Sequence, residues 1–128
     1  MFQRVVLVPT PARTSTPWGM LAAIDLHGCE RRLVEDADTI RAFVPTVIDV
    51  IGMRAHGPLH LERFGDGELE GWSAMQFIET SSITVHADEF ACRCFIDVFS
   101  CRVFDPEAAA AVAVAHFGGR PRVRVLQR

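Results

Sequence analysis

Ser73, Ser81, His86 and Cys101 are the residues of this chain whose types and spacing suit chemistry. Ser73 stands eight positions before Ser81, His86 follows Ser81 by five, and Cys101 lies fifteen further on. They fall on or beside β-patterned runs, Thr80-Ser81-Ser82-Ile83-Thr84-Val85-His86 and Ile96-Asp97-Val98-Phe99-Ser100-Cys101. A serine hydroxyl is a nucleophile once a base activates it, an imidazole moves protons near neutral pH, and a thiol can deliver one. The order is neither a nucleophile elbow nor a zinc-ligand spacing. His27 and Cys29 make only H-x-C, and Cys92 and Cys94 only C-x-C, so no metal is expected.

Composition narrows the chemistry further. All thirteen basic residues are arginine, and the chain has neither lysine nor tyrosine. Without lysine there is no internal aldimine with pyridoxal phosphate and no lysine Schiff base with a substrate. Amine chemistry would need an electrophile made from the chain itself. A length of 128 residues fits one domain, 49% apolar, with a real core but no separate cofactor domain. A net charge of −3 and the lack of a basic run argue against nucleic acid as a partner. No apolar stretch approaches the ~20 residues that span a bilayer, so no membrane partner is expected. Val5-Val6-Leu7-Val8 is cut short by Pro9 and Pro11, which argues against a signal peptide and for a cytoplasmic protein with reduced thiols.

The elements that must position these residues follow from periodicity. Residues 1–18 read as an extended arm, with a short strand at Gln3 to Val8 and a Pro/Thr/Ser-rich linker to Trp18. Residues 19–128 form the compact part, opening with a buried strand from Met20 to Leu26. Asp36 or Asp38 caps a helix whose apolar positions Ile40, Phe43, Val44, Val47, Ile48 and Ile51 recur at three and four, and Gly52 stops it. Pro45 is expected to kink that helix or mark a later start. Strands are expected at Pro58 to Phe64, Gly71 to Thr80, Ser82 to His86 and Ala91 to Cys101, the last two joined through Ala87 to Phe90. Asp105-Pro106-Glu107 starts an Ala-rich helix that ends at Gly118-Gly119, and Val123 to Leu126 is a last strand. The order after the arm gives the α+β class: a two-layer sandwich, its largely antiparallel sheet carrying two helices on one face. Apolar alternation on both faces of residues 72–101 calls for a partner over the second face, and a homodimer is expected.

With those runs in place, residues 19–126 resemble the prokaryotic S-adenosylmethionine decarboxylase proenzyme family. That family carries an E-S-H-x-S/T-x-H stretch, whose serine becomes a pyruvoyl cofactor by self-cleavage, and an I-D-x-F-S/T-C run ending in a catalytic cysteine. The resemblance implies cleavage between Thr80 and Ser81. Ser81 would attack the carbonyl before it, Ser73 would assist, and His86 would take the serine Cα proton so that the ester eliminates. Cys101 would reprotonate the substrate carbon after carbon dioxide leaves. It also implies a dimer of proenzymes and a role in spermidine synthesis. Because residues five apart on a regular strand point to opposite faces, Ser81 is expected in turn geometry, with only Ser82 to His86 regularly pleated.

The chain departs from the family's pattern at named places. Thr80 stands where a glutamate is usual, with Glu79 one position earlier, and Ser82 replaces a histidine. After His86 the family's T-W-P-E is Ala87-Asp88-Glu89-Phe90. By resemblance Phe64 and Phe90 would flank adenine and Glu89 would bind ribose hydroxyls. Alternatively, Asp88 and Glu89 would favour a cationic amino acid such as ornithine or arginine, again with pyruvoyl chemistry. A third reading is a non-processing homologue that binds or regulates a partner.

Overall fold

The computed structural model describes residues 16–128, so the strand expected at Gln3 to Val8 lies outside the described residues. Six strands hydrogen-bond into one antiparallel sheet: β1 (Met20–His27), β2 (Ala55–Phe64), β3 (Gly71–Ile78), β4 (Ser81–Asp88), β5 (Arg93–Ser100) and β6 (Arg120–Gln127). Their order across the sheet is β2-β3-β4-β5-β1-β6. Three helices, α1 (Arg31–Val34), α2 (Ala37–Val50) and α3 (Pro106–Phe117), join them. The α+β sandwich is as the patterning predicts, apart from the short α1, which four residues are too few to announce.

Period-two burial shows how the sheet is filled. Ile24, Leu26, Ala74, Ile78, Ile83, Val85, Ile96 and Val98 alternate toward the helix layer and are buried there. Against them α2 sets Ile40, Phe43, Val44, Val47 and Ile48, and α3 sets Ala109, Ala110, Ala113 and Phe117. The alanines of α3 let its backbone lie close to its neighbours, and Phe43 meets Phe117 edge-on with centroids 5.3 Å apart.

Capping follows the sequence. Asp36 accepts the Asp38 N–H at 2.9 Å and Asp105 accepts the Glu107 N–H at 2.9 Å. Pro45 neither breaks α2 nor delays it. It lies on the exposed side, where the carbonyl that loses its N–H partner can turn to water. β2 starts three residues before the expected Pro58, passing through a register shift between His56 and His60. Gly57 (φ 73°) and Pro58 make that irregularity, and the buried Gln76 amide reaches the His56, Gly57 and Phe77 carbonyls at 3.3, 3.1 and 2.8 Å. β6 likewise extends beyond Val123 to Leu126, because β1 pairs with it from end to end.

Two boundaries near the chemistry also move. β3 ends at Ile78, and Ser81 pairs with Ile78 as the first residue of β4. The β4–β5 connection is Glu89 to Cys92, so Cys92 sits in the turn at φ 51° and does not share a strand face with Cys94.

The helices cover one face only. On the other, Met75 and Phe77 are 45% and 51% exposed, beside the half-buried Phe95 and Phe99. Trp18 leads into β1 with its ring 6.1 Å from that of Phe99.

Candidate active site

The tight turn between β3 and β4 consists of Glu79 and Thr80 alone. Thr80 has φ 50°, a left-handed conformation that a β-branched side chain rarely adopts and that glycine or asparagine normally fills. Such a residue stores of order 1–3 kcal/mol of strain. Its carbonyl belongs to the peptide bond with Ser81. The Ser81 hydroxyl is buried and accepts the Cys101 N–H at 2.8 Å. The Cys101 thiol lies 3.5 Å from the Glu79 carbonyl oxygen. Hydroxyl hydrogen bonds from Thr80 first, then Ser81, hold the Cys101 pKa below the ordinary thiol value. Burial drives Cys29 the other way, up to about 11, and raises Cys94 further. All four cysteines are free.

Ser73 and His86 make a second cluster. They are directly opposed on β3 and β4, with Ser73 Oγ 2.9 Å from His86 Nδ1. They line a groove of about 430 Å³ with Phe64, Glu68, Leu69, Gly71, Asp88, Phe90, Arg93 and Phe95. Gly71 lets β3 and β4 approach closely beside the groove: a Cβ there would run into the Ala87 carbonyl oxygen. Phe64 and Phe90 are 56% and 61% exposed, large rings presented to an open space.

Two arginines hold the acidic residues. Arg63 grips Glu89 through both carboxylate oxygens, Nε at 3.1 Å and Nη2 at 2.8 Å, and reaches Glu70 at 2.7 Å. Arg93 pairs with Asp88 at 2.6 Å and lies over the Phe95 ring.

The sequence profile of the family described as S-adenosylmethionine decarboxylase matches residues 21–128. This chain belongs to that family. Among solved structures, an adenosylmethionine decarboxylase from Aquifex aeolicus is similar in fold, with a TM-score of 0.73 at 16% identity over 89% of this chain and 92% of that one. No curated protein matches the sequence.

Seen as a member of the S-adenosylmethionine decarboxylase family, the chain divides its candidate residues into two groups. Ser81 is not in turn geometry: β4 alternates regularly from its first residue, so Ser81 faces the helix layer and His86 the open face. Five residues of strand separate them, roughly 16 Å. Within one chain the structure brings Ser81, Thr80 and Cys101 together at one end of β4, and Ser73, His86, Phe64, Asp88 and Phe90 at the other. Glu89 is bound to Arg63. The patterns did not disclose Gly71 or Arg93 as parts of the site, nor the grip of Arg63 on Glu89, because each depends on cross-strand register.

Proposed function

We propose that this chain cuts itself between Thr80 and Ser81, carries the resulting pyruvoyl group, and decarboxylates S-adenosylmethionine as a homodimer, supplying the aminopropyl donor for spermidine synthesis. The observation that carries this reading is the strained Thr80, joined to a serine whose hydroxyl is already fixed by the Cys101 N–H. In the cut, Ser81 Oγ bonds to the Thr80 carbonyl carbon and the C–N bond breaks, giving an ester and a free Ser81 amine. Removal of the Ser81 Cα proton expels the Thr80 carboxylate. Water then replaces the nitrogen, which leaves as ammonia. Breaking the backbone at Thr80 also releases its strain, so the turn favours the forward direction.

These residues fit a pyruvoyl group, since its parent serine ends at the start of a strand beside a thiol. Once formed, that group accepts a substrate amine and draws off the electrons left by carbon dioxide. Cys101, within reach of the same position, holds the proton for the substrate carbon. His86, hydrogen-bonded by Ser73, is the base of the earlier elimination.

A second copy resolves the separation of the two clusters. Laid over the open sheet face with its strands reversed end to end, it carries its own Ser73 and His86 toward the strand end that holds the first protomer's Thr80–Ser81 turn and Cys101. It also covers Met75 and Phe77. The groove then receives the distal part of the substrate, with Phe64 and Phe90 flanking a flat base. Asp88 and Glu89 are each committed to an arginine, which favours the adenosyl substrate over a cationic amino acid. Carbon dioxide release from carboxyl-labelled S-adenosylmethionine, ornithine and arginine, assayed side by side, tests this: release is expected from S-adenosylmethionine. Release from an amino acid alone, or from none, contradicts it.

A further inference from the structure

Glu62, Ser73 and His86 form one cross-strand row on the open face: Glu62 of β2 opposes Ser73 of β3, and Ser73 opposes His86 of β4. The three line a common groove with His60 and Thr84. Opposed residues in an antiparallel pair have Cβ atoms about 4.5–5.5 Å apart, so rotation of the Glu62 side chain carries its carboxylate to the Ser73 hydroxyl. Nothing among the described residues competes for it. Glu62 makes no side-chain hydrogen bond or ion pair there, while its neighbour Arg63 is engaged by Glu70 and Glu89.

The single proton of Ser73 decides what His86 can do. If Ser73 donates to His86 Nδ1, the neutral ring carries its own proton on Nε2 and has no lone pair to offer there. If Ser73 donates to a carboxylate, its oxygen accepts from Nδ1–H, and Nε2 is left as a base. We propose that Glu62 is a positioning residue that sets the tautomer of His86 through Ser73 and keeps the Nε2 lone pair available. Of the other groups near His86, Glu68 lines the groove from the turn between β2 and β3, outside the cross-strand row that carries Ser73. Asp88, on the same strand as His86, is paired with Arg93, while Asp97 and Phe95 belong to β5, across β4 from Ser73. On β2, His60 opposes Met75 rather than Ser73. The consequence for elimination rests on His86 acting as the base proposed above; the tautomer itself does not.

Nitrogen-15 NMR of the ring, in the Ser81→Ala chain so that no cleavage intervenes, reads this directly. The His86 signal is identified by its loss in His86→Gln, and the spectra are taken at alkaline pH, where imidazoles in general are neutral. With Glu62 present the Nδ1-protonated form is expected to dominate. In Glu62→Gln and Glu62→Ala the Nε2-protonated form takes over, with the backbone amide spectrum otherwise kept. An Nε2-protonated ring in the parent, or a tautomer unmoved by both substitutions, overturns the proposal. In the cleaving background Glu62→Gln should slow elimination about tenfold and leave ester open to hydroxylamine. A parent chain that never cuts itself would sink the proposed function and leave the tautomer result standing.

Discussion

Cys101 differs from the buried cysteines in the direction its environment pushes it. The hydroxyls of Thr80 and Ser81 lower its pKa, whereas burial raises those of Cys29 and Cys94. Because the thiolate is the reactive form, a lowered pKa places the rise of alkylation rate at lower pH than for an ordinary thiol. Iodoacetamide at neutral pH, with peptide mapping, should therefore label Cys101 well before Cys29 or Cys94; the reverse order would contradict the assignment. Ser81→Ala should leave the chain uncut. His86→Ala should allow the ester to form but not eliminate, so that hydroxylamine cuts the chain without pyruvoyl appearing. The types and spacing of these residues were legible in the sequence. Their separation was half legible, since a spacing of five already implied opposite faces. The strict pleating of β4 from Ser81 onward was not, because it depends on the Ile78 pairing across a turn.

The β3–β4 turn and the mouth of the groove are where single elements carry the account. Thr80→Gly removes the left-handed penalty of about 1–2 kcal/mol from the uncut chain. If that strain drives cleavage, the substitution should raise the melting temperature of the uncut Ser81→Ala chain and slow cutting by about tenfold in the cleaving one. Cleavage at the parent rate with a higher melting temperature would mean the strain is incidental. Gly71→Val sets a branched side chain against the Ala87 carbonyl and should cost about 1–3 kcal/mol in denaturant unfolding. Period-two and period-3.6 patterning made most strands and both long helices legible, as did the Asp caps. Hidden from it were the early start of β2, which follows from the Gly57-Pro58 irregularity and the Gln76 amide, and the pairing of Glu89 with Arg63, 26 residues away.

At the scale of the whole sheet, the described residues leave one face bare and split the chemistry between the two ends of β4. The bare face was legible in the apolar alternation of residues 72–101; the split was not, because strand order and the distance between the clusters exist only in the assembled sheet. If two protomers complete each other's sites, co-expressed Ser81→Ala and His86→Ala chains should form mixed dimers in which one site has both residues and cuts. Each variant alone should stay without pyruvoyl, and failure of the mixture would mean that each chain acts by itself. Phe77→Glu, which sets a charge on the exposed apolar face, should shift the protein toward monomer in sedimentation and slow cutting with it. Central to all of this is that the chain cuts itself before Ser81. Intact mass under denaturing conditions is the decisive measurement: an 80-residue piece ending at Thr80 and a 48-residue piece with a blocked N-terminus are expected. A single mass for the whole chain after prolonged incubation, unchanged by hydroxylamine, would contradict it.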